Sequence, residues 1–289
     1  MAVAAFFGLG SMGLPMAINL LKAGHEVRVM VHRSPAGPEE AVRHGARLCS
    51  SVKDMVSGAD FVVSVVPDDK AVLDIYENGD FQRFVKRGCV VLEMSSCTPE
   101  AVCRVEEICR PLGVHVLDAP ITGARPKAEA GTLVVLGAGD DADFDAAGPV
   151  LSAMTEKVFR LGAVGTGKAV KAMTNLLGAV NLAAVGEFYR FAAAMGLDMD
   201  MLAEVTKESA GGSTQFSRNF GRMVEGNYAP LFTLGLMLKD MEIAMKCAAG
   251  HPELHMPIAE RAVELYRAAS ARYAGEDCSG IARVDSTAR

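Results

Sequence analysis

The sequence predicts an α/β fold in which a parallel-sheet domain over residues 1–162 is followed by an all-α domain over 163–289, joined through a long interdomain helix. Three observations predict it. A glycine-rich turn, GLGSMG, follows a short apolar run close to the first residue. Apolar runs of strand length then alternate with helical stretches, the pattern that builds a parallel sheet. From 165 onward strand signal fades, and residues 167–195 read as one uninterrupted helix.

Taken in order, residues 3–7 fit a buried parallel strand. Gly8, Leu9, Gly10, Ser11, Met12 and Gly13 form the turn, with glycines in the GxGxxG spacing. Residues 12–23 continue as a helix stopped by Gly24, with Pro15 in the first turn, where a missing N–H costs little. A second strand covers 25–31. Strand, glycine turn, helix and strand in this order are the context of a Rossmann-type dinucleotide fingerprint. Its glycines allow a tight turn, close approach to a pyrophosphate and helix–strand packing, while the helix N-terminus offers N–H groups to phosphate. The second strand runs into His32, Arg33 and Ser34, with no acid before Glu39. Asp or Glu there would suit the ribose hydroxyls of NAD, so two cationic side chains and a hydroxyl favour the 2′-phosphate of NADP(H) over NAD(H). A solvated loop that tolerates NAD is the other reading.

Further strands are expected at 61–66, 89–94, 114–118 and 133–136, with helices near 50–57, 69–77 and 99–111. Beyond the long helix, which stops at Gly196, helices are expected near 198–209, 213–225, 233–249 and 256–273. Ligands gather at the carboxyl ends of parallel strands, where Pro67 and Ser96 fall.

Composition narrows the function. Half of the 289 residues are apolar, and the net charge of −6 argues against nucleic acid, whose phosphates need a basic face. The N-terminus lacks the basic region of a signal peptide, and no run of about 18 uninterrupted apolar residues suggests a membrane span. Seven cysteines without a metal-like CxxC pair give no metal site and read as reduced thiols of a cytoplasmic protein. Cys97, next to a candidate cofactor loop, is either a small filler or a reactive thiol.

Four stretches carry a resemblance: GLGSMG, DAPITGARPKAEAGTL from Asp118, GTGKAVKAMTN from Gly165, and LKD at 238–240. In this order, over almost the whole chain, they resemble the β-hydroxyacid dehydrogenase family of 3-hydroxyisobutyrate dehydrogenase-like enzymes. Within the second stretch, TGARPKAEAGTL looks closer to the glyoxylate/succinic semialdehyde reductase branch than to the hydroxyisobutyrate one. The resemblance implies a catalytic Lys171 with Asn175 one turn on, and a substrate-binding Thr122, Gly123 and Ala124. It implies cofactor contacts at Val66, Pro67, Ser96 and Lys239. Thr122 stands where the family has Ser, and Ala124 where it has a second Gly.

The residues suit that chemistry. Hydride transfer to an aldehyde leaves negative charge on oxygen, which a positioned proton donor stabilises. Lys171 and Asn175, four apart, share one face of an apolar helix. The Thr122–Ala124 turn offers N–H groups and a hydroxyl to a carboxylate. The expected activity interconverts a small carboxylated aldehyde and its hydroxy acid. A catalytically silent cofactor-binding protein and an imine reductase are the alternatives. Lys168, near the helix start, reads as a surface lysine, and Arg125 and Lys127 as solvated loop charges. Ser213 and Gln215 are weak substrate candidates. Long apolar helices in a small domain suggest a homodimer or homotetramer, and the polar tail DSTAR reads as disordered.

Overall fold

The parallel sheet forms where apolar runs are buried on both faces. The computed structural model describes residues 1–284, so the polar tail at 285–289 lies outside the described residues. The first unit contains β1 (Val3–Phe7), α1 (Gly13–Lys22), β2 (Glu26–Val29), α2 (Ala36–Arg43), β3 (Arg47–Leu48) and α3 (Val52–Val56). It continues with β4 (Phe61–Ser64), α4 (Asp69–Tyr76), α5 (Gly79–Phe84), β5 (Val90–Glu93), α6 (Pro99–Cys109) and β6 (His115–Asp118). These strands form one sheet in the order β3-β2-β1-β4-β5-β6, parallel throughout. Every residue of β4 and β5 is buried, as expected of strands covered on both faces. The strand order reverses at β1, so the crevice at its carboxyl end is the topological switch point. Helices start where side chains cap them: Ser51, Asp68, Asn78 and Thr98 accept backbone N–H groups at the starts of α3, α4, α5 and α6.

The chain then builds β7 (Ile121–Thr122), α7 (Ala124–Ala130), β8 (Leu133–Gly137), α8 (Asp141–Met154) and β9 (Thr155–Arg160). The strand expected at 133–136 belongs to this separate sheet, β7-β8-β9, with β7 antiparallel and β9 parallel to β8. An antiparallel bridge between Asp118 and Ala138 links the two sheets. The strand expected at 25–31 is shorter, because β1 and β3 together offer ladder partners only to Glu26, Val27, Arg28 and Val29.

The long helix α9 (Thr166–Ala194) spans 29 residues. The chain divides into its two compact units inside α9, between Lys171 and Ala172. The second unit adds α10 (Met199–Lys207), α11 (Thr214–Val224), α12 (Leu234–Ala249), α13 (Pro257–Tyr273) and a 3-10 turn at Cys278–Arg283. By length and composition alone α9 would pass for a membrane span. Its Ala172, Leu176, Ala179 and Leu182 instead pack in a core with Phe216, Phe220, Met241 and Tyr266. Tyr266 also donates from its hydroxyl to the Ala179 carbonyl at 3.2 Å.

Candidate active site

The glycine turn assigns each of its glycines a different environment. A Cβ on Gly8 would sit 2.1 Å from the Val65 carbonyl oxygen, and one on Gly13 1.9 Å from that of Gly8. A Cβ on Gly10 would meet no atom of the chain within 4 Å. Gly8 and Gly13 are therefore required by close packing of the strand, turn and helix, whereas Gly10 faces open space. The N-terminus of α1 has no side-chain cap and no acidic residue in its first turn, so no side chain of that turn competes with an anion for its N–H groups. Those properties fit a pyrophosphate over Gly10.

Two neighbouring loops meet this turn. Gly37 lies against the Leu9 carbonyl, which brings the segment after β2 beside the glycine turn, and His32, Arg33 and Ser34 in that segment are exposed. Val66 follows β4 and donates its N–H to Ser95 Oγ at 2.9 Å, next to Ser96 in the loop after β5. Pro67 is exposed beside Val66.

Thr122 ends β7 and Ala124 begins α7, so the expected turn is a strand-to-helix junction with Gly123 at φ 139°. Ala124 has a φ of 58°, and among the described residues it is the single non-glycine at positive φ. The left-handed conformation costs an L-residue about 1–2 kcal/mol. Arg125 pairs with Glu129, and Lys127 with Glu156, so both flanking cations are held by carboxylates.

The start of α9 overturns the expectation for Lys168. Its side chain is 1% exposed, with Nζ donating to the Glu93 carbonyl at 2.7 Å. Nζ also faces Asp118 Oδ1 at 3.4 Å and Glu93 Oε1 at 3.9 Å. Asp118 Oδ2 accepts the backbone N–H groups of Gly165 and Lys168. Burial pulls the Lys168 ammonium down, but the neighbouring Cys97, Asp118 and Glu93 outweigh it and raise its pKa above the ordinary lysine value. Glu93 Oε2 accepts from Ser64 Oγ, which also pairs with the Tyr76 hydroxyl at 2.6 Å. Glu93 Oε1 takes the Ser95 N–H at 2.8 Å. Removing one partner from such a buried charge cluster typically costs about 3–5 kcal/mol. Sequence reasoning missed this cluster.

Lys171 lies one turn further along α9 and is half-buried. In the second unit, Asn175 Nδ2 donates to Asp240 Oδ2 at 2.6 Å, and Lys239 Nζ lies 3.1 Å from Asp240 Oδ1. Asp240, 4% exposed, thus joins two predicted site residues and is itself one the sequence reading left without a role. Ser213 caps α11 by accepting the Phe216 N–H, and Gln215 accepts from Asn219. Cys97 is buried, and burial pushes its thiol far above the ordinary range, which favours the filler reading.

Residues 3–162 match the family described as the NAD binding domain of 6-phosphogluconate dehydrogenase. Residues 165–284 match the NAD-binding domain of NADP-dependent 3-hydroxyisobutyrate dehydrogenase. The chain is 33% identical to an NAD-dependent L-serine dehydrogenase of Pseudomonas aeruginosa, over 91% of this chain and 90% of that one. It is 29% identical to glyoxylate/succinic semialdehyde reductase 1 of Arabidopsis thaliana, over 91% of each. Among solved structures, 3-hydroxyisobutyrate dehydrogenase of Mycobacterium tuberculosis with L-serine superposes with a TM-score of 0.91, at 29% identity and 98% coverage of both chains.

Proposed function

Since the chain belongs to the β-hydroxyacid dehydrogenase family of NAD(P)-dependent oxidoreductases, we propose that it interconverts a small carboxylated aldehyde and its hydroxy acid using NADP(H), with Lys171 as general acid–base. What supports the reading is the spacing of Lys171 and Asn175, one turn apart along the continuous helix α9, with the asparagine amide held by Asp240. Residues 1–162 serve dinucleotide binding, and 163–289 serve substrate binding and oligomerisation.

Bound NADPH supplies the hydride. The chain's own residues supply position and charge. The backbone of Gly8 to Gly13 and the N-terminus of α1 hold the pyrophosphate, with Gly10 leaving room for it. Val66, Pro67, Ser96 and Lys239 hold the nicotinamide half, and His32, Arg33 and Ser34 meet the 2′-phosphate. The Thr122 hydroxyl and the N–H groups of Gly123 and Ala124 take the substrate carboxylate. Lys171 gives its proton to the aldehyde oxygen as charge develops there, and takes it back in oxidation. Asn175 donates a hydrogen bond towards the same oxygen.

The relatives suggest the substrate class. Those named above act, by name, on serine, glyoxylate or succinic semialdehyde, and hydroxyisobutyrate: short molecules that pair a carboxylate with a carbonyl or alcohol. The TGARPKAEAGTL stretch looks closer to the semialdehyde reductase branch than to the hydroxyisobutyrate one. We place the protein in the cytoplasm, where NADPH is available for reduction.

The test is a spectrophotometric assay of NADPH and NADH against glyoxylate, succinic semialdehyde, methylmalonate semialdehyde and tartronate semialdehyde. The expected result is turnover of at least one aldehyde, with kcat/KM for NADPH about 10-fold or more above that for NADH, the worth of one or two charge-assisted hydrogen bonds. Preference for NADH would remove the role of His32 and Arg33. Absence of turnover with every aldehyde would remove the substrate class.

A further inference from the structure

Lys168 is the one large cationic side chain among the most deeply buried described residues, and the proposed reaction makes no use of it. Its surroundings tie three parts of the first unit together. Through Asp118, the ammonium faces the end of β6. Through the Glu93 carbonyl, it is bonded to the end of β5. The Glu93 side chain in turn takes the Ser95 N–H, and Ser95 Oγ takes the Val66 N–H. The opening turn of α9 is pressed onto the same place. A Cβ on Gly167 would lie 2.4 Å from the Leu136 carbonyl oxygen and 2.9 Å from Asp118 Oδ2. Asp118 also grips the backbone N–H groups of Gly165 and Lys168.

We infer that Lys168 is a positioning residue: its ammonium, bonded to Glu93 and faced by Asp118, sets the rotation of α9 against the loops after β4 and β5, and so aims Lys171. The inference rests on the reading of Lys171 as the acid–base group. Backbone contacts fix where the helix starts, and the Lys168 arm resists its rotation about its own axis. With side chains, a helix has a radius of about 5–6 Å, so a rotation of about 10° moves a side-chain tip by about 1 Å. A misplacement of about 1 Å costs on the order of 10²-fold in rate. The same bonds place Ser95 and Val66, so the lysine holds the catalytic helix in register with the loops proposed to carry the nicotinamide half.

The test compares Lys168→Met, Asp118→Asn and the double variant. Each is measured for thermal unfolding, NADPH affinity by fluorescence titration, and kcat and KM. Lys168→Met leaves both carboxyl groups uncompensated and unfolds at lower temperature. Adding Asp118→Asn removes one of them, so the double variant unfolds at a higher temperature than Lys168→Met. In the double variant kcat stays about 10- to 100-fold below that of Asp118→Asn alone. Equal kcat in the double variant and in Asp118→Asn would overturn the inference, as would failure of both Lys168 variants to fold, which would make the lysine a structural ion partner only. Lys171→Ala, run in parallel, separates the two claims. If it keeps turnover, the Lys171 reading falls. If it is inactive while the Lys168 variants keep full kcat, only this inference falls.

Discussion

Ala124 shows how much a single residue carries at this site. It sits at φ 58°, a conformation glycine adopts freely and alanine does not. Replacing it with glycine removes the strain, and the expected gain is about 1 kcal/mol, after allowing for glycine's greater chain entropy. A calorimetric scan should show a rise in Tm of about 2–4 °C, and an unchanged or lower Tm would remove the strain argument. The buried thiols give a pH prediction. Burial raises Cys89, Cys109 and Cys278 from 9.0 to about 12. Because the folded values lie above the unfolded one, the stability these protonated thiols contribute is whole below pH 9.0 and is lost as pH rises towards about 12. Urea midpoints should therefore hold level up to pH 9.0 and fall above it, less steeply in Cys89→Ala. At this scale the sequence was only partly readable. Lys171 and Asn175 stand out because four-residue spacing is a local signal. Lys168 does not, since its partners Glu93 and Asp118 lie 75 and 50 residues away in sequence. Without them a lysine three residues from Lys171 looks like any solvated one.

Among elements, β1, the glycine turn and α1 were the most legible, because each glycine does a local task. Their different tasks make opposite predictions. Gly13→Ala places a Cβ 1.9 Å from the Gly8 carbonyl oxygen, so it should lower Tm sharply and yield little folded protein. Gly10→Ala meets nothing within 4 Å, so it should unfold like the parent yet bind NADPH weakly, as titration of nicotinamide fluorescence would show. A Gly10→Ala variant with full affinity would place the pyrophosphate elsewhere. The helices of the second unit were legible too, since apolar periodicity and caps such as Asp198, Ser213 and Thr233 mark them. The small sheet was legible only in β8, expected at 133–136. β7 has two residues, and β9 is TEKVFR, in which charged side chains interrupt the apolar run. The helix α8 between its strands contains Gly148 and Pro149, residue types that ordinarily interrupt a helix. Pairing of β7, β8 and β9 into a sheet of their own is a tertiary outcome that no local pattern announces.

At the scale of the whole molecule, α9 presents an apolar stripe. Met173, Leu177 and Phe191 fall on one face of the helix, and Leu177 and Phe191 are 64% and 66% exposed. We propose that a second copy covers this face, giving the homodimer or homotetramer that the composition of the helices suggests. Light scattering after gel filtration should report an oligomer for the parent and a smaller species for Leu177→Glu/Phe191→Glu. A monomeric parent would exclude it. The account as a whole turns on Lys171, and its most direct test is Lys171→Ala assayed for aldehyde reduction alongside NADPH titration. The account predicts a fall in kcat of about 10²- to 10⁴-fold, the worth of general acid–base catalysis, with NADPH affinity retained. Turnover close to that of the parent, in a folded variant that still binds NADPH, would contradict it.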